Sequence, residues 1–361
     1  MPKIPLAAFW ENLGATLKKE KDWEMPALFK DFASECESVR KGVGILDLSY
    51  RGKIEVTGKD RVLFLHRVLS NDIQSLGIGT GTYATLLTPQ GKIIADMNVF
   101  VFANKILIET EGGLEKKLVE ALQKLHVTEE LEIKDATRDW ILLSLQGPKS
   151  EALVSALIHG PVMVTEEFSH TNFTILDTAA TLVRRSVTGE KGFYLVIPKE
   201  NGEPIAKRIL ELGKLYGIRP VGAGAYEILR IEAGIPRYGI DMDETVMLPE
   251  TGLEEIAASE TKGCYPGQEV VAKIKTYGGL NRKLSGLIFD KAALPRTGDK
   301  ISAGREEIGH ITSACHSPTL EKGISLAYLK KGYFDKSIEV SIGGAGRSIP
   351  AKIALIPFYK S

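Results

Sequence analysis

From Lys53 onward one order of secondary-structure patterns occurs twice, and that repetition constrains the fold more than any single motif. In the first pass, residues 53–57 alternate like a strand. Val62, Leu63, Leu65, Val68 and Leu69 then space a helix over 60–69, after Gly58. Strand patterns at 83–88 and 93–102 are joined by a Pro89-Gln-Gly91 turn, and a further strand covers 106–109. An amphipathic helix over 114–125 carries Leu114, Leu118, Ala121, Leu122 and Leu125 on one stripe, and residues 131–134 close the unit. The second pass has a strand at 141–145 and a helix from Gly147-Pro148 to Leu157. Strands at 173–176, 180–187 and 193–197 follow, then a helix over 204–215. Strands grouped in this way predict paired α+β lobes rather than an alternating parallel sheet.

The flanks are of other kinds. Trp10, Leu13 and Leu17 lie at roughly helical spacing within 9–39, which predicts an N-terminal helical segment, and a further helix is expected over 222–233. After Arg282 the pattern becomes short alternating strands split by glycine turns, at 283–289, 300–302, 309–313, 324–328, 338–342 and 351–356. That spacing predicts a small antiparallel barrel. The chain of 361 residues is long enough for two or three domains. The predicted division is 1–52 with 137–240 as one lobe, 53–136 with 241–278 as a second, and 279–361 as the barrel.

Charge narrows the function classes. Lys plus Arg and Asp plus Glu each total 46, so a surface that is basic throughout, as a nucleic-acid or anionic-membrane binder would have, is not expected. No apolar run reaches bilayer length, and charged residues interrupt the first 23 positions, so a cytoplasmic location is the expectation. Cys36, Cys264 and Cys315 are scattered, and the six histidines lack ligand spacing, which predicts reduced thiols and no metal site.

Two local patterns carry candidate chemistry. On a strand across 93–102, Ile94, Asp96 and Asn98 share one face. Asp96 and Asn98 could together hold a polar heterocycle, or they could lie on the wet side of an ordinary sheet. Cys264 is bracketed by Gly263 and Gly267, with Lys262 two residues before it and Gln268-Glu269 after. This is either a tight turn with a half-buried cysteine or a thiol whose ionisation is favoured by a nearby ammonium. Asp241, Asp243 and Glu244, taken alone, read as a solvated turn.

Several stretches in order resemble the glycine-cleavage T-protein (aminomethyltransferase) superfamily. They include Trp23-Glu-Met-Pro26, Val39-Arg-Lys-Gly-Val-Gly-Ile-Leu-Asp47, Ser70-Asn-Asp-Ile73, Leu145-Gln-Gly-Pro148, Thr188-Gly-Glu-Lys-Gly-Phe193, Leu229-Arg-Ile-Glu-Ala233 and Gly309-His-Ile-Thr-Ser-Ala-Cys-His-Ser-Pro-Thr-Leu320. The resemblance implies an α+β three-domain cloverleaf, with two α+β lobes and a C-terminal antiparallel β-barrel around a central channel for tetrahydrofolate. It makes Asp96 similar to the family's catalytic aspartate and Tyr83 to a folate-contacting tyrosine. It extends the expected folate-binding set to Asn98, Tyr194, Tyr226, Arg230, Lys262 and Gln268. Against the pattern, Ala95 stands where an acid usually precedes the aspartate, and Tyr194 where a glutamate grips the pterin. Val187 replaces a tyrosine, and Tyr226 replaces an arginine at a helix start.

The segment Lys262-Gly-Cys-Tyr-Pro-Gly-Gln-Glu269 is similar to the signature of the YgfZ-like branch. That similarity implies a tetrahydrofolate-binding accessory role supporting iron–sulfur enzymes and tRNA modification, with Cys264 as the functional thiol. Two alternatives stand beside it: an aminomethyltransferase or demethylase centred on Asp96, and a non-enzymatic folate-sensing interaction protein. The partners implied are folate and iron–sulfur proteins, with no membrane or nucleic acid, for a chain read as a monomer.

Overall fold

The structure is a computed structural model that describes residues 3–20, 22–290, 292–343 and 348–361. Its first lobe is built on a five-stranded antiparallel sheet with the spatial order Gly81–Leu87, Ile93–Val101, Lys105–Thr110, Gly52–Thr57, Glu132–Asp135. Helices Arg61–Val68 and Glu115–Leu125 cover one face, and the second buries Leu118 and Leu122 from its apolar stripe. The register sets Tyr83 opposite Asn98, Thr85 opposite Asp96, and Asn98 opposite Glu109, so these polar side chains are cross-strand neighbours.

The second lobe has a six-stranded sheet in the order His170–Ile175, Thr178–Arg184, Gly192–Pro198, Trp140–Gln146, Val43–Asp47, Ile218–Pro220. Its pairs are antiparallel except the last, in which Ile218–Pro220 runs parallel to Val43–Asp47. Helices Phe32–Lys41 and Ala223–Glu232 pack on each other and link this lobe to the barrel. Strands Arg282–Phe289, Lys322–Lys330, Glu306–Ser317, Lys300–Ala303, Glu339–Ile342 and Ile349–Ala354 close the barrel. It has its own core of Leu287, Ile301, Ile308, Ile311, Leu329 and Ile342, while one contiguous core runs through both lobes. The α+β architecture and the C-terminal antiparallel barrel expected from the strand spacing are both present.

Strands Val43–Asp47 and Ile218–Pro220 and the short helices Leu248–Thr251 and Glu254–Ala257 are additions to the sequence reading, and two longer segments also differ from it. The helical segment expected over 9–39 is a short helix, Ala7–Asn12, then the hairpin Thr16–Glu20 with Trp23–Leu28, then helix Phe32–Lys41. Gly14 turns the chain at φ +92°, a conformation closed to most side chains, and Asp31 starts the second helix by accepting the Ser34 N–H at 2.8 Å. Between them Trp23 and Met25 are buried while Glu24 is not, a period of two, and Pro26 cannot sit in a helix interior. The second difference is helix Gln268–Tyr277, which follows the Cys264 turn. Its only buried residue is Val271, so it carries almost no apolar stripe for periodicity to detect. Among the described residues no helix is long and apolar enough to cross a membrane.

Candidate active-site cavity between the lobes

The two sheets face a cavity of about 270 Å³, lined from one side by Tyr83, Asp96, Met97 and Asn98 and from the other by Phe168, Arg185, Val187 and Tyr194. Helix Ala223–Glu232 and the loop after it add Tyr226, Arg230, Arg237 and Tyr238. The volume is near the lower end of the roughly 300–1,000 Å³ typical of small-molecule sites.

Asp96 lies on strand Ile93–Val101, an interior strand of the five-stranded sheet. Tyr83 donates its hydroxyl to Asp96 Oδ2 at 2.9 Å, while Oδ1 is buried without a partner among the described residues. Burial pushes its carboxyl up to about 6; the nearby Arg51 guanidinium and the Tyr83 hydrogen bond pull the other way. Ala95, on the opposite strand face, is fully buried in the lobe's core. Asn98 donates from Nδ2 to Glu109 Oε2, which leaves its own Oδ1 buried and unpartnered. The cavity wall therefore presents two open acceptors on alternate residues of one strand. The wet-sheet reading of this face is set aside by the second lobe that covers it.

Charged groups around these acceptors are tied to each other. Arg51 pairs with Glu109 and, at 2.7 Å, with Glu111; Arg237 pairs with Glu111 at 2.7 Å and with Glu20 at 2.5 Å. Arg230 pairs with Asp241 at 2.5 Å and with Glu227. Asp241 is no solvated turn residue: it is 2% exposed, and its Oδ1 accepts from the barrel hydroxyls of Thr312 at 2.5 Å and Ser313 at 2.7 Å. Asp243 caps the Thr245 N–H at 2.8 Å, and Glu244 pairs with Lys117 at 2.8 Å.

Of the residues singled out in the sequence, Tyr83, Asp96, Asn98, Tyr194, Tyr226 and Arg230 meet at this cavity, whereas Lys262, Cys264 and Gln268 do not line it. The Lys262 ammonium donates to the carbonyls of His66, Leu69 (2.5 Å) and Asn71 (3.3 Å), which uses all three of its N–H groups. It caps the C-terminal end of helix Arg61–Val68, where the helix dipole favours a cation, and so is not held on the thiol. Cys264 is exposed. Gln268 lies with Tyr265 and Lys275 along a separate surface recess.

Sequence reasoning passed over Arg51, Glu109, Glu111, Arg185 and Arg237. A usable signal existed for the two acids. Residues 106–111 read Ile-Leu-Ile-Glu-Thr-Glu, an apolar strand ending in acids two apart, and acids on a buried strand need cationic partners.

Comparison with known proteins agrees with this architecture. A family model described as the GCVT N-terminal domain matches residues 6–260, and one described as the glycine cleavage T-protein C-terminal barrel domain matches 282–360. An aminomethyltransferase from Geobacillus sp. is 31% identical over 100% of this chain and 99% of its own length. One from Caldanaerobacter subterraneus is 32% identical over 100% of this chain and 96% of its own. The crystal structure of glycine cleavage system aminomethyltransferase T from Bartonella henselae has the same fold, with a TM-score of 0.90, 23% identity, and coverage of 99% of this chain and 98% of that one. These full-length relatives are named aminomethyltransferase, so the closeness to a YgfZ-like branch that residues 262–269 implied is not what they display. The chain belongs to the glycine-cleavage T-protein (aminomethyltransferase) family.

Proposed function

We propose that this chain is a tetrahydrofolate-dependent one-carbon transferase of the aminomethyltransferase type, with Asp96 as its proton-handling residue. The observation that carries this reading is a carboxylate enclosed between two lobes, anchored through one oxygen and open through the other. The open acceptors Asp96 Oδ1 and Asn98 Oδ1 fit the N–H groups of a reduced pterin, and Tyr83 and Tyr226 add aromatic wall. When bound, tetrahydrofolate supplies the amine nitrogens that take up a one-carbon unit. Asp96 then does two things. Ionised, it stabilises positive charge on a neighbouring amine nitrogen; with an ionisation near 6, it also takes or returns a proton at Oδ1 around neutral pH. Tyr83 holds the carboxylate in one orientation while this happens. Partial burial of Asp96 between the lobes strengthens both effects.

The test supplies purified protein with tetrahydrofolate and a protein-borne aminomethyl donor, whose carbon is already at the oxidation level of methylene-tetrahydrofolate and whose nitrogen leaves as ammonia. Formation of methylene-tetrahydrofolate is the expected result, and absence of turnover counts against the reading.

The accessory reading rests on one observation, the exposed thiol of Cys264 outside the cavity. The two readings part on a single variant. Cys264→Ala is expected to leave folate affinity and transfer rate within about twofold of the parent, because its side chain does not line the cavity. If the same variant fails to support iron–sulfur enzyme activity in cells lacking the native protein while folate turnover is nil, the accessory reading replaces the transferase.

A further inference from the structure

Among the described residues four arginines line the cavity, and three are held by buried carboxylates: Arg51 by Glu109 and Glu111, Arg237 by Glu111, and Arg230 by Asp241. Arg185 differs. Its carboxylate partner, Glu167, accepts from NH1 at 2.8 Å, and the Glu167 side chain is 38% exposed. NH1 also donates to the Ser186 carbonyl at 3.0 Å, and the guanidinium lies 4.9 Å from the Phe168 ring centroid. Among the described residues the Arg185 Nε–H is buried with no partner, as is that of Arg230, whose other nitrogens are held by Asp241 and Glu227.

Tyr194 lies close enough for the Arg185 charge to act on its ionisation, and it is 1% exposed. A buried N–H left open is destabilising, and on a cavity wall an acceptor brought by a ligand can satisfy it.

The two walls therefore differ in polarity. The five-stranded sheet presents acceptors, Asp96 Oδ1 and Asn98 Oδ1, while the six-stranded side presents an open donor, Arg185 Nε, with Tyr194 on the same lining. A glutamate at position 194, which the family resemblance led one to expect, would accept hydrogen bonds from a guanidine-like ring edge. With Tyr194 there and Arg185 beside it, that wall gives hydrogen bonds instead.

We infer that Arg185, with Tyr194, receives the carbonyl-bearing edge of the pterin and so makes this cavity select a 4-oxo ring over a 4-amino ring. The inference rests on the reading of the cavity as the folate site. A carbonyl oxygen accepts from both donors. An amino group in its place would turn N–H toward N–H, and a guanidinium has no acceptor with which to adapt. Tyrosine can rotate its hydroxyl and accept, so Arg185 sets the discrimination and Tyr194 reinforces it.

The experiment titrates the full chain calorimetrically with tetrahydrofolate and with 4-amino-4-deoxytetrahydrofolate. The parent is expected to prefer the 4-oxo compound by about tenfold or more, the scale of one hydrogen bond to a charged donor. Arg185→Met keeps the bulk and removes the donors, so its preference should fall to about threefold or less. Glu167→Gln removes the surface ion pair and leaves Arg185 in place, so the full preference should persist. Should Arg185→Met not fold, Tyr194→Phe is the second arm, with 4-oxo affinity falling about threefold and 4-amino affinity unchanged. Equal affinity of the parent for both compounds overturns the inference, as does undiminished preference in Arg185→Met. If neither compound binds the parent, it is the folate reading itself that fails.

Discussion

Asp96→Asn should abolish most turnover and at the same time stabilise the protein near neutral pH. Asparagine keeps the shape and can still accept the Tyr83 hydroxyl, so the cavity stays formed, but the amide neither ionises nor carries a proton. Loss of a positioned acid–base group costs about 10²–10⁴-fold in rate, and folate affinity should change much less. The stability change follows from the ionisation, which burial raises from 3.8 to about 6. A carboxyl raised on folding contributes stability that is fully present below its unfolded value and is lost as pH rises through the folded one. Above about pH 6 the parent therefore carries the cost of a buried charge, and the asparagine variant does not. Denaturant titrations should show Asp96→Asn ahead by roughly 1–3 kcal/mol at pH 7.5, with the difference closing toward pH 4. A variant with parental turnover would remove Asp96 from the mechanism. A variant less stable at both pH values would show that its carboxylate is a structural ion-pair member.

The second large effect is on stability, at a junction next to the cavity-lining residues Ala233 and Gly234. Glu232, at 0% exposure, ends helix Ala223–Glu232 and joins three parts of the molecule. Its Oε2 accepts from Arg40 at 2.6 Å and from Thr319 at 3.0 Å, and its Oε1 accepts from Ser317 at 2.5 Å. Its carbonyl also accepts the Tyr359 N–H at 2.9 Å, which seats the C-terminal tail where the Tyr359 ring lies 3.8 Å from the Arg40 guanidinium. Glu232→Ala leaves Arg40 with Glu190 and the Thr188 carbonyl, and leaves two hydroxyls, Ser317 and Thr319, without this acceptor. Breaking a buried pair from one side costs about 3–5 kcal/mol, read as a lower midpoint in urea at unchanged slope. Glu232→Gln keeps an acceptor and should lose about half as much. Parental stability in Glu232→Ala would mean that this junction does not hold the barrel to the lobes.

What was legible in the sequence, and what was not, follows from the range of each interaction. The barrel was readable because its strands alternate locally and glycines mark its turns. Asp96 and Asn98 were readable as a pair because strand alternation puts residues two apart on one face. Arg185 gave no such signal. Its meaning depends on Tyr194 nine positions on and on the lobe carrying Asp96, so only the fold exposes its unused donor. Lys262 misled for the same reason: beside Cys264 in sequence, it is drawn to the carbonyls of a helix end near residue 69. The N-terminal hairpin was lost because Trp10, Leu13 and Leu17 happen to fit a helical period across a glycine turn.

The shared use of Asp241 bears on how separable the parts of this protein are. One oxygen of that carboxylate takes hydroxyls from the barrel, and the other takes a guanidinium that lines the cavity. The barrel is thus wired into the wall of the ligand site and is more than a neighbour joined by a linker. The covalent join runs through Gly278 and Gly279, both exposed and both at positive φ. It is the most expendable link between the parts: a protease that cut there would sever the peptide and leave two fragments clasped by buried charge. Exchange of this barrel for another during evolution would require the recipient to bring its own hydroxyls to Asp241.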